Sequence, residues 1–405
     1  KPDQALKAAS QSFAHPVIRR LHGPSRKLRF ADRLTTRRLT RWLGIALVFL
    51  REVRQDIQDT ALIEAQIRDF QPDLLYLGHI MPLTRALMPL LARQPLPIVA
   101  DEGGKGLIYS WQDRGLWQRF QTEFPQKNGF LRCVKRAFNW LVFRLSRGRI
   151  KQEWTFPTNI QAFFNSNLNL NNALSEGAPL ARTQVIHSGI DIAQFPFRRE
   201  KEFGNPLTIL VPGRIEENKG QLDAVRVGAL LKAMGIPFEL TLVGERWNQR
   251  YAEKVDAEIL ALGLKSQVRT LPMLSREELV RLYHQADITF FPSKHRSGFS
   301  RIPLEAMACG SLLITYGNEG SDEIVRDGEN GLILAPEDSQ AAAEEFARLL
   351  NQSDRVGQII RMARQTVEDS YSMGGYLSRI EEFLLQALQF CPEPPAPAPK
   401  TLPDN

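Results

Sequence analysis

Cysteine is scarce in this 405-residue sequence, which has only Cys133, Cys309 and Cys391. An odd and widely spaced set indicates neither a disulfide framework nor a group of metal ligands. We therefore expect a reducing, cytoplasmic compartment. Motifs typical of nucleic-acid binding, such as an RNP sequence or a zinc finger, are also lacking, and we expect no nucleic-acid partner.

Long hydrophobic runs are lacking as well. The longest apolar run near the start, residues 42–50, is about half of the ~20 residues that a transmembrane helix needs. No signal-peptide pattern precedes this run. The sequence does not begin with Met, so we expect that the natural start of the protein is missing.

Positive charge is concentrated at the start of the chain. Residues 1–50 contain eleven Lys or Arg and two Asp or Glu, a net of +9, while the whole chain carries only +7. A second basic stretch, residues 132–149, alternates cations with aromatic and apolar side chains. Such segments bind anionic membrane surfaces, or they pack one face on a core and solvate the other. Peripheral contact of the basic N-terminal half with the inner face of a membrane therefore stays open.

Short apolar segments alternate with helical patterns along most of the chain. The predicted strands are residues 74–77, 98–100, 162–164, 184–186, 208–211, 238–243, 267–270, 288–291 and 312–315. This order is typical of α/β proteins with parallel sheets, and the length favours two domains. We predict two Rossmann-like, doubly wound domains at 1–200 and 201–370, a helix at 371–390 and a Pro-rich flexible tail at 391–405.

The first candidate binding segment is VPGRIEENKG, residues 211–220. Here a strand ends, Gly213 turns the chain, and Arg214 and Lys219 follow before a helix begins. Two cations and free helix N–H groups at the carboxyl end of a strand suit a diphosphate. A solvated loop with two surface cations is the alternative interpretation.

The second candidate segment is FPSKHRSGFSRIPLEAMACG, residues 291–310. A strand leads into a loop whose backbone amides around Gly298 and Phe299 could hold phosphate or sugar oxygens. Pro303 starts the helix that follows. Glu305 in the first turn could accept hydrogen bonds from ribose hydroxyls, or it could simply favour the helix dipole.

The third segment, residues 317–333, places glycine turns on both sides of a short helix. In their order and spacing the three segments resemble the family-4 retaining glycosyltransferases, which have the GT-B fold. The shared features are a Gly-Arg turn with a later Lys, a Pro-Ser loop, Glu-Ala-Met-Ala and a final Asp-Gly-x-Asn-Gly. The likeness is close over 207–350 and looser over FNSNLN (164–169) and VIHSGIDIAQF (185–195).

The resemblance implies retaining transfer of a sugar from a nucleotide-diphosphate donor to a glycan or lipid-linked acceptor, as in cell-envelope polysaccharide biosynthesis. Arg214 and Lys219 would neutralise the departing diphosphate, so neither a metal nor another cofactor would be needed. Glu305 would hold the ribose. The full donor-binding set implied is Gly213, Arg214, Lys219, Gly298, Phe299, Ser300, Glu305, Glu319 and Gly320.

The sequence departs from the family pattern at three points. Ser297 stands where the family has the first of two glutamates, the one that contacts the transferred sugar. Glu319 stands where the family has a glycine; its carboxylate either replaces the missing one or belongs to an outward-pointing turn residue. The Gly-rich loop and the histidine of the family's N-terminal domain are not found. Asp101 and Glu102 occupy that region and could orient the acceptor or take its proton, or cap a turn; His79 is a further candidate.

Two other classes of function remain compatible with these patterns. One is another enzyme on the same fold, such as a nucleotide-sugar epimerase or a pyridoxal-phosphate-dependent phosphorylase. The other is a non-catalytic protein that binds a nucleotide sugar or a partner through a degenerate glycosyltransferase site. Ser297 in place of glutamate favours the second.

Overall fold

Two parallel β-sheets, one in each half of the chain, organise the protein. The structure is a computed structural model that describes residues 38–78, 87–103, 129–148, 157, 159–198, 206–296 and 298–389. Helices pack on these sheets. The predicted α/β architecture is therefore confirmed.

Among the described residues, the first sheet contains four parallel strands in the order β1-β2-β3-β4. They are β1 (Leu75–Gly78), β2 (Ile98–Glu102), β3 (Ile160–Phe164) and β4 (Arg182–Val185). Every residue of β3 is buried, because Ala162 and Phe164 face one hydrophobic cluster while Phe163 faces another. Burial on both faces is the expected state of a central strand in a parallel sheet.

Four described helices accompany this sheet: α1 (Arg38–Phe70), α2 (Leu87–Leu91), α3 (Gly129–Leu145) and α4 (Asn167–Ser175). Ser166 begins α4, since its hydroxyl accepts a hydrogen bond from the Asn169 N–H at 3.2 Å. Within the described ranges, no helix combines the length and hydrophobicity that crossing a bilayer requires.

The second sheet contains six parallel strands in the order β10-β9-β8-β5-β6-β7. They are β5 (Leu207–Pro212), β6 (Phe238–Val243), β7 (Val268–Leu271), β8 (Ile288–Phe291), β9 (Leu312–Thr315) and β10 (Leu332–Ile333). The strand order reverses between β5 and β8, which pair directly. Such a switch point opens a crevice at the carboxyl ends of the strands, where ligands bind in this class of sheet.

Seven helices pack around the second sheet among the described residues. They are α5 (Gln221–Ala233), α6 (Gln249–Ala261), α7 (Arg276–Gln285), α8 (Ile302–Cys309), α9 (Ser321–Ile324), α10 (Ser339–Leu349) and α11 (Ser353–Ser370). A capping box fixes the start of α7: Ser275 and Glu278 each bond the other's backbone N–H. The strands β8 and β9 have the same bounds as their sequence predictions.

The last helix, α12 (Met373–Leu388), returns to the first sheet. Its Phe383 ring lies edge-on to Phe163 of β3, with 5.7 Å between ring centroids. The chain segments that join the two halves run side by side, because Ile190 N–H donates to Tyr371 O and Met373 N–H donates to Ile190 O. Phe383 and Ala387 of this helix thus belong to a hydrophobic cluster of the first sheet.

Gly220 allows the turn before α5 to pack against the end of β8. Its φ is +69°, in the left-handed region that glycine adopts without strain. A Cβ atom there would lie only 2.2 Å from Pro292 O. The close approach brings the loop after β5 against the loop after β8.

Gly220→Ala should destabilise the protein far more than Gly235→Ala. Both glycines have similar φ angles, +69° and +73°, but a Cβ on Gly235 would meet nothing within 4 Å. We expect a loss of about 1 kcal/mol for Gly235→Ala, from backbone strain alone. For Gly220→Ala we expect at least about 3 kcal/mol, because the added methyl group overlaps a backbone carbonyl. Urea denaturation measures both losses, and equal values would contradict the close approach.

Candidate functional site

The three segments singled out in the sequence meet at the carboxyl edge of the second sheet. Lys294 N–H, in the loop after β8, donates to Asn218 O in the loop after β5 at 2.8 Å. Asn318 Nδ2, in the loop after β9, donates to Ser293 O at 2.8 Å. These bonds join three loops that are distant in sequence into one surface at the switch point.

Lys219 forms an ion pair with Glu319. Its Nζ lies 2.5 and 2.6 Å from the two carboxylate oxygens, and the two side chains are only 11% and 10% exposed. Lys219 ends a 3₁₀ turn, Glu217–Lys219, and its ammonium also lies 5.9 Å from the ring centroid of Phe291. The carboxylate of Glu319 therefore points into the site toward Lys219.

Arg214 lies at the open side of the same edge. Its Nη2 is 2.9 Å from Glu216 Oε1, and half of its side chain is exposed. The guanidinium stacks over the Trp247 ring at 4.7 Å. The preceding Gly213 has φ +137° and donates its N–H to Val243 O. Sequence reasoning missed Trp247, although its place in the loop after β6 is the signal that could have found it.

The loop of Gly298, Phe299 and Ser300 reaches both neighbouring segments. Gly298 N–H donates to Asn169 Oδ1 of the first domain at 3.4 Å, and Ser300 N–H donates to Glu319 O at 2.9 Å. Two backbone amides of the loop that was predicted to lie against the donor thus have protein partners in this structure. Gly320 is required here, because a Cβ on it would lie 2.7 Å from the Phe299 ring.

Glu305 lies in the first turn of α8, as predicted, and faces the core. Its Oε2 accepts a hydrogen bond from the Tyr283 hydroxyl at 3.1 Å. Burial raises the pKa of Glu305 above its usual range, although the bond from Tyr283 acts in the opposite direction. The carboxylate is thus fixed in orientation at the start of the helix, and its contact with a ribose stays a prediction.

Asp101 and Glu102 end strand β2 of the first sheet. The Tyr76 hydroxyl donates to Asp101 Oδ2 at 2.8 Å, and burial together with this carboxylate raises the pKa of Tyr76. Glu102 is buried, and its backbone carbonyl accepts the Asn165 N–H. Ser297 and His79 lie outside the described residues.

Glu323 joins the two domains, and sequence reasoning missed it. It belongs to α9 of the second domain, yet its Oε2 accepts the Asn167 N–H at 2.9 Å and the Asn167 Nδ2 at 2.7 Å. Oε1 accepts the Leu168 N–H at 3.4 Å. A carboxylate from one domain therefore satisfies the free N–H groups at the start of α4 in the other. The Ser166 cap in FNSNLN was the sequence signal for this helix start.

His187 completes the contact between the domains. Its Nε2 lies 2.7 Å from Glu323 Oε2, and its ring lies 5.2 Å from Phe299. Burial opposes ionisation of Glu323, but hydrogen bonds from His187, Asn167 and Leu168 outweigh it and hold the pKa of Glu323 below its usual range. The carboxyl ends of the two sheets thus face each other across the site.

Solved structures share this architecture. A glycosyltransferase from Rickettsia africae ESF-5 has a TM-score of 0.61 at 18% identity, over 83% of this chain and 82% of that one. Anabaena Alr3699/HepE in complex with UDP has a TM-score of 0.59 at 20% identity, over 81% and 82%. The chain has the GT-B fold, with two Rossmann-like domains that face a cleft.

Sequence comparison finds relatives mainly for the second domain. Residues 194–366 match the sequence model of the family Glycosyl transferases group 1. Glycogen synthase of Mycobacterium tuberculosis strain H37Rv is 29% identical over 238 residues, 58% of this chain and 56% of that protein. The lipopolysaccharide 1,2-N-acetylglucosaminetransferase of Salmonella typhimurium strain LT2 is 26% identical over 219 residues, 51% and 57%. The chain spans about half the length of these curated relatives, and its similarity to the glycosyl transferases group 1 family covers residues 194–366.

Glu323→Gln should destabilise the protein most near neutral pH. The folded-state pKa of Glu323 is lowered, so its ionised form stabilises the fold above the unfolded pKa of about 4.3. That contribution is lost as pH falls through the lower, folded-state value. We expect a loss of about 2 kcal/mol at pH 7 that shrinks below about pH 4.

Urea denaturation from pH 7 to pH 3 measures this difference. Glu368→Gln is the control, because that carboxylate is half exposed and Arg364, its partner within α11, also donates to Phe195 O and Ala308 O. The control should stay within about 0.5 kcal/mol of the wild type. A pH-independent loss in Glu323→Gln would contradict the role of its charge.

Proposed function

We propose that the protein transfers a sugar from a nucleotide-diphosphate donor to an acceptor, with retention of configuration and without a metal ion. The observation that carries the proposal is that the loop after β5, which holds Arg214 and Lys219, contacts the loop after β8 at the switch point of the second sheet, within the residues that match glycosyl transferases group 1. Anabaena HepE, which shares the fold, has been solved with UDP and with UDP-glucose.

The proposed donor lies along the carboxyl edge of the second sheet. Its diphosphate would contact Arg214 and Lys219, and its ribose would contact Glu305. As the bond from the anomeric carbon to the β-phosphate oxygen breaks, negative charge grows on the phosphate beside the two cations. The acceptor hydroxyl forms the new bond from the same face, and its proton passes to the departing phosphate.

The acceptor would enter from the first domain. Asp101 and Glu102 end a strand whose neighbour, β3, leads into the Asn165–Asn169 segment that contacts Gly298 and Glu323. Relatives named for lipopolysaccharide and colanic acid synthesis support a glycan or lipid-linked acceptor.

Helix α3 supports a membrane-associated form of this activity. Its outer face exposes Trp140 (59%), Leu141 (45%) and Leu145 (61%). Arg136, Arg144 and Arg147 are exposed near them, and Arg144 lies 5.3 Å from the Trp140 ring centroid. Exposed aromatic and aliphatic groups mixed with cations match an anionic lipid surface, where the rings enter the interface and the guanidinium groups contact phosphates.

A non-catalytic nucleotide-sugar-binding protein is the second candidate. The observation that favours it is the serine at position 297, where the resembling family has a glutamate for the transferred sugar. Donor binding without sugar transfer to any acceptor would distinguish it from the enzyme.

Nucleoside diphosphates should stabilise the protein through the two cations. We expect one of UDP, GDP and ADP to raise the unfolding free energy by about 2.7 kcal/mol at 100 times its dissociation constant. Arg214→Ala combined with Lys219→Ala should abolish the effect, because the diphosphate loses both counter-charges. Lys232→Ala combined with Arg348→Ala removes two cations elsewhere in the same domain and should retain it. Failure of every nucleotide to shift the melting temperature would contradict the donor site.

Binding to phosphatidylglycerol vesicles should depend on the outer face of α3. We expect Trp140→Ala combined with Leu145→Ala to weaken sedimentation with these vesicles at least about tenfold, because both buried apolar area and interfacial anchoring are lost. Trp247→Ala with Leu260→Ala is a matched control, since those side chains are 59% and 61% exposed on the second domain. Equal effects of the two pairs, or equal binding to phosphatidylcholine, would contradict this surface.

A further inference from the structure

The ammonium group of Lys219 already has an anion within the protein. Both carboxylate oxygens of Glu319 lie within 2.6 Å of Nζ. The pair is nearly buried, so solvent screens it little and each charge depends on the other. The proposed function assigns the charge of Lys219 to the donor diphosphate. In this structure, the carboxylate of Glu319 neutralises that charge.

The backbone around Glu319 holds the carboxylate in this position. Its N–H donates to His295 O and its carbonyl accepts the Ser300 N–H. The loop after β8 therefore hydrogen-bonds to both backbone polar groups of Glu319. Its φ is +54°, a left-handed conformation that is uncommon for a residue other than glycine. The two hydrogen bonds therefore hold the backbone in this conformation and fix the direction in which the Glu319 side chain leaves it.

We propose that Glu319 is the resting counter-ion of Lys219, an internal anion that the donor diphosphate displaces when it binds. This inference rests on the proposed function. A diphosphate that reached Lys219 while the carboxylate stayed in place would bring two anions together in a poorly screened site. Donor binding is therefore an exchange of anions on one ammonium group, and Glu319 lowers the affinity by competing for it.

Arg214, the other cation of the site, differs from Lys219 in its exposure and pairing. Arg214 pairs with Glu216 through one nitrogen and is half exposed, and a guanidinium has five N–H donors. Arg214 can therefore donate hydrogen bonds to a phosphate while it stays paired with Glu216. The donor would be captured first at Arg214, and it would gain Lys219 only when Glu319 moves aside.

The test compares nucleoside diphosphate binding to variants of the whole protein. Glu319→Gln keeps the shape of the side chain and removes its charge, and Glu319→Gly removes the side chain and suits the left-handed backbone. Isothermal titration with UDP, GDP and ADP should show about tenfold tighter binding of the preferred nucleotide to both variants. Glu368→Gln, which removes a carboxylate paired with Arg364 outside the site, should bind like the wild type.

A second pair of variants shows whether the effect acts through Lys219. In a Lys219→Met background, adding Glu319→Gln should no longer tighten binding, because there is no ammonium to release. Without nucleotide, Glu319→Gln should also melt below the wild type, since it leaves a nearly buried ammonium without its anion. Tighter binding together with a lower melting temperature separates a counter-ion from a purely structural residue.

Each other outcome overturns the inference in a distinguishable way. If Arg214→Ala with Lys219→Ala abolishes binding but Glu319→Gln leaves it unchanged, the donor site stands and the counter-ion role fails. If Glu319→Gln weakens binding of the nucleotide sugar and not of the diphosphate, Glu319 contacts the sugar instead. If no nucleotide binds the wild type or either Glu319 variant, the proposed function and this inference fail together.

Discussion

The parallel pairing of β5 with β8 is the contact on which the donor site depends. Ile209 lies opposite Ile288 and Leu210 opposite Thr289. Asp287 fixes the start of this pair, because its carboxylate accepts the Thr208 N–H at 2.8 Å and the Thr208 hydroxyl at 2.6 Å. Parallel strands end at the same edge, so this pairing brings together loops that are far apart in the chain.

Once the loops meet, charge decides what the edge can bind. Lys219 is nearly buried and matched by Glu319, while Arg214 is half exposed and only partly satisfied by Glu216. The site therefore combines an open cation with a covered one. From the sequence, Arg214 and Lys219 were both predicted to neutralise the diphosphate. Their difference in burial and pairing is a property of the folded loops.

The contact between the domains has a similar origin. Glu323 accepts N–H groups from the start of α4, and His187 bonds the same carboxylate. Because His187 also lies against Phe299, the domain contact adjoins the loop proposed to face the donor. Helix α12 strengthens the same connection by packing Phe383 on the first sheet. No local pattern identifies Glu323 as a cap, because the helix that it caps lies in the other domain.

The sequence by itself determined the α/β class, the positions of β8 and β9, and the order of the three loop segments. These features follow from hydrophobic runs and turn residues that are neighbours in the chain. Only the tertiary structure decided that Glu319 reaches Lys219, that Glu305 bonds Tyr283 and that Glu323 joins the domains. Each of these contacts joins residues distant in sequence and depends on backbone directions, such as the positive φ of Glu319, that residue identity does not specify.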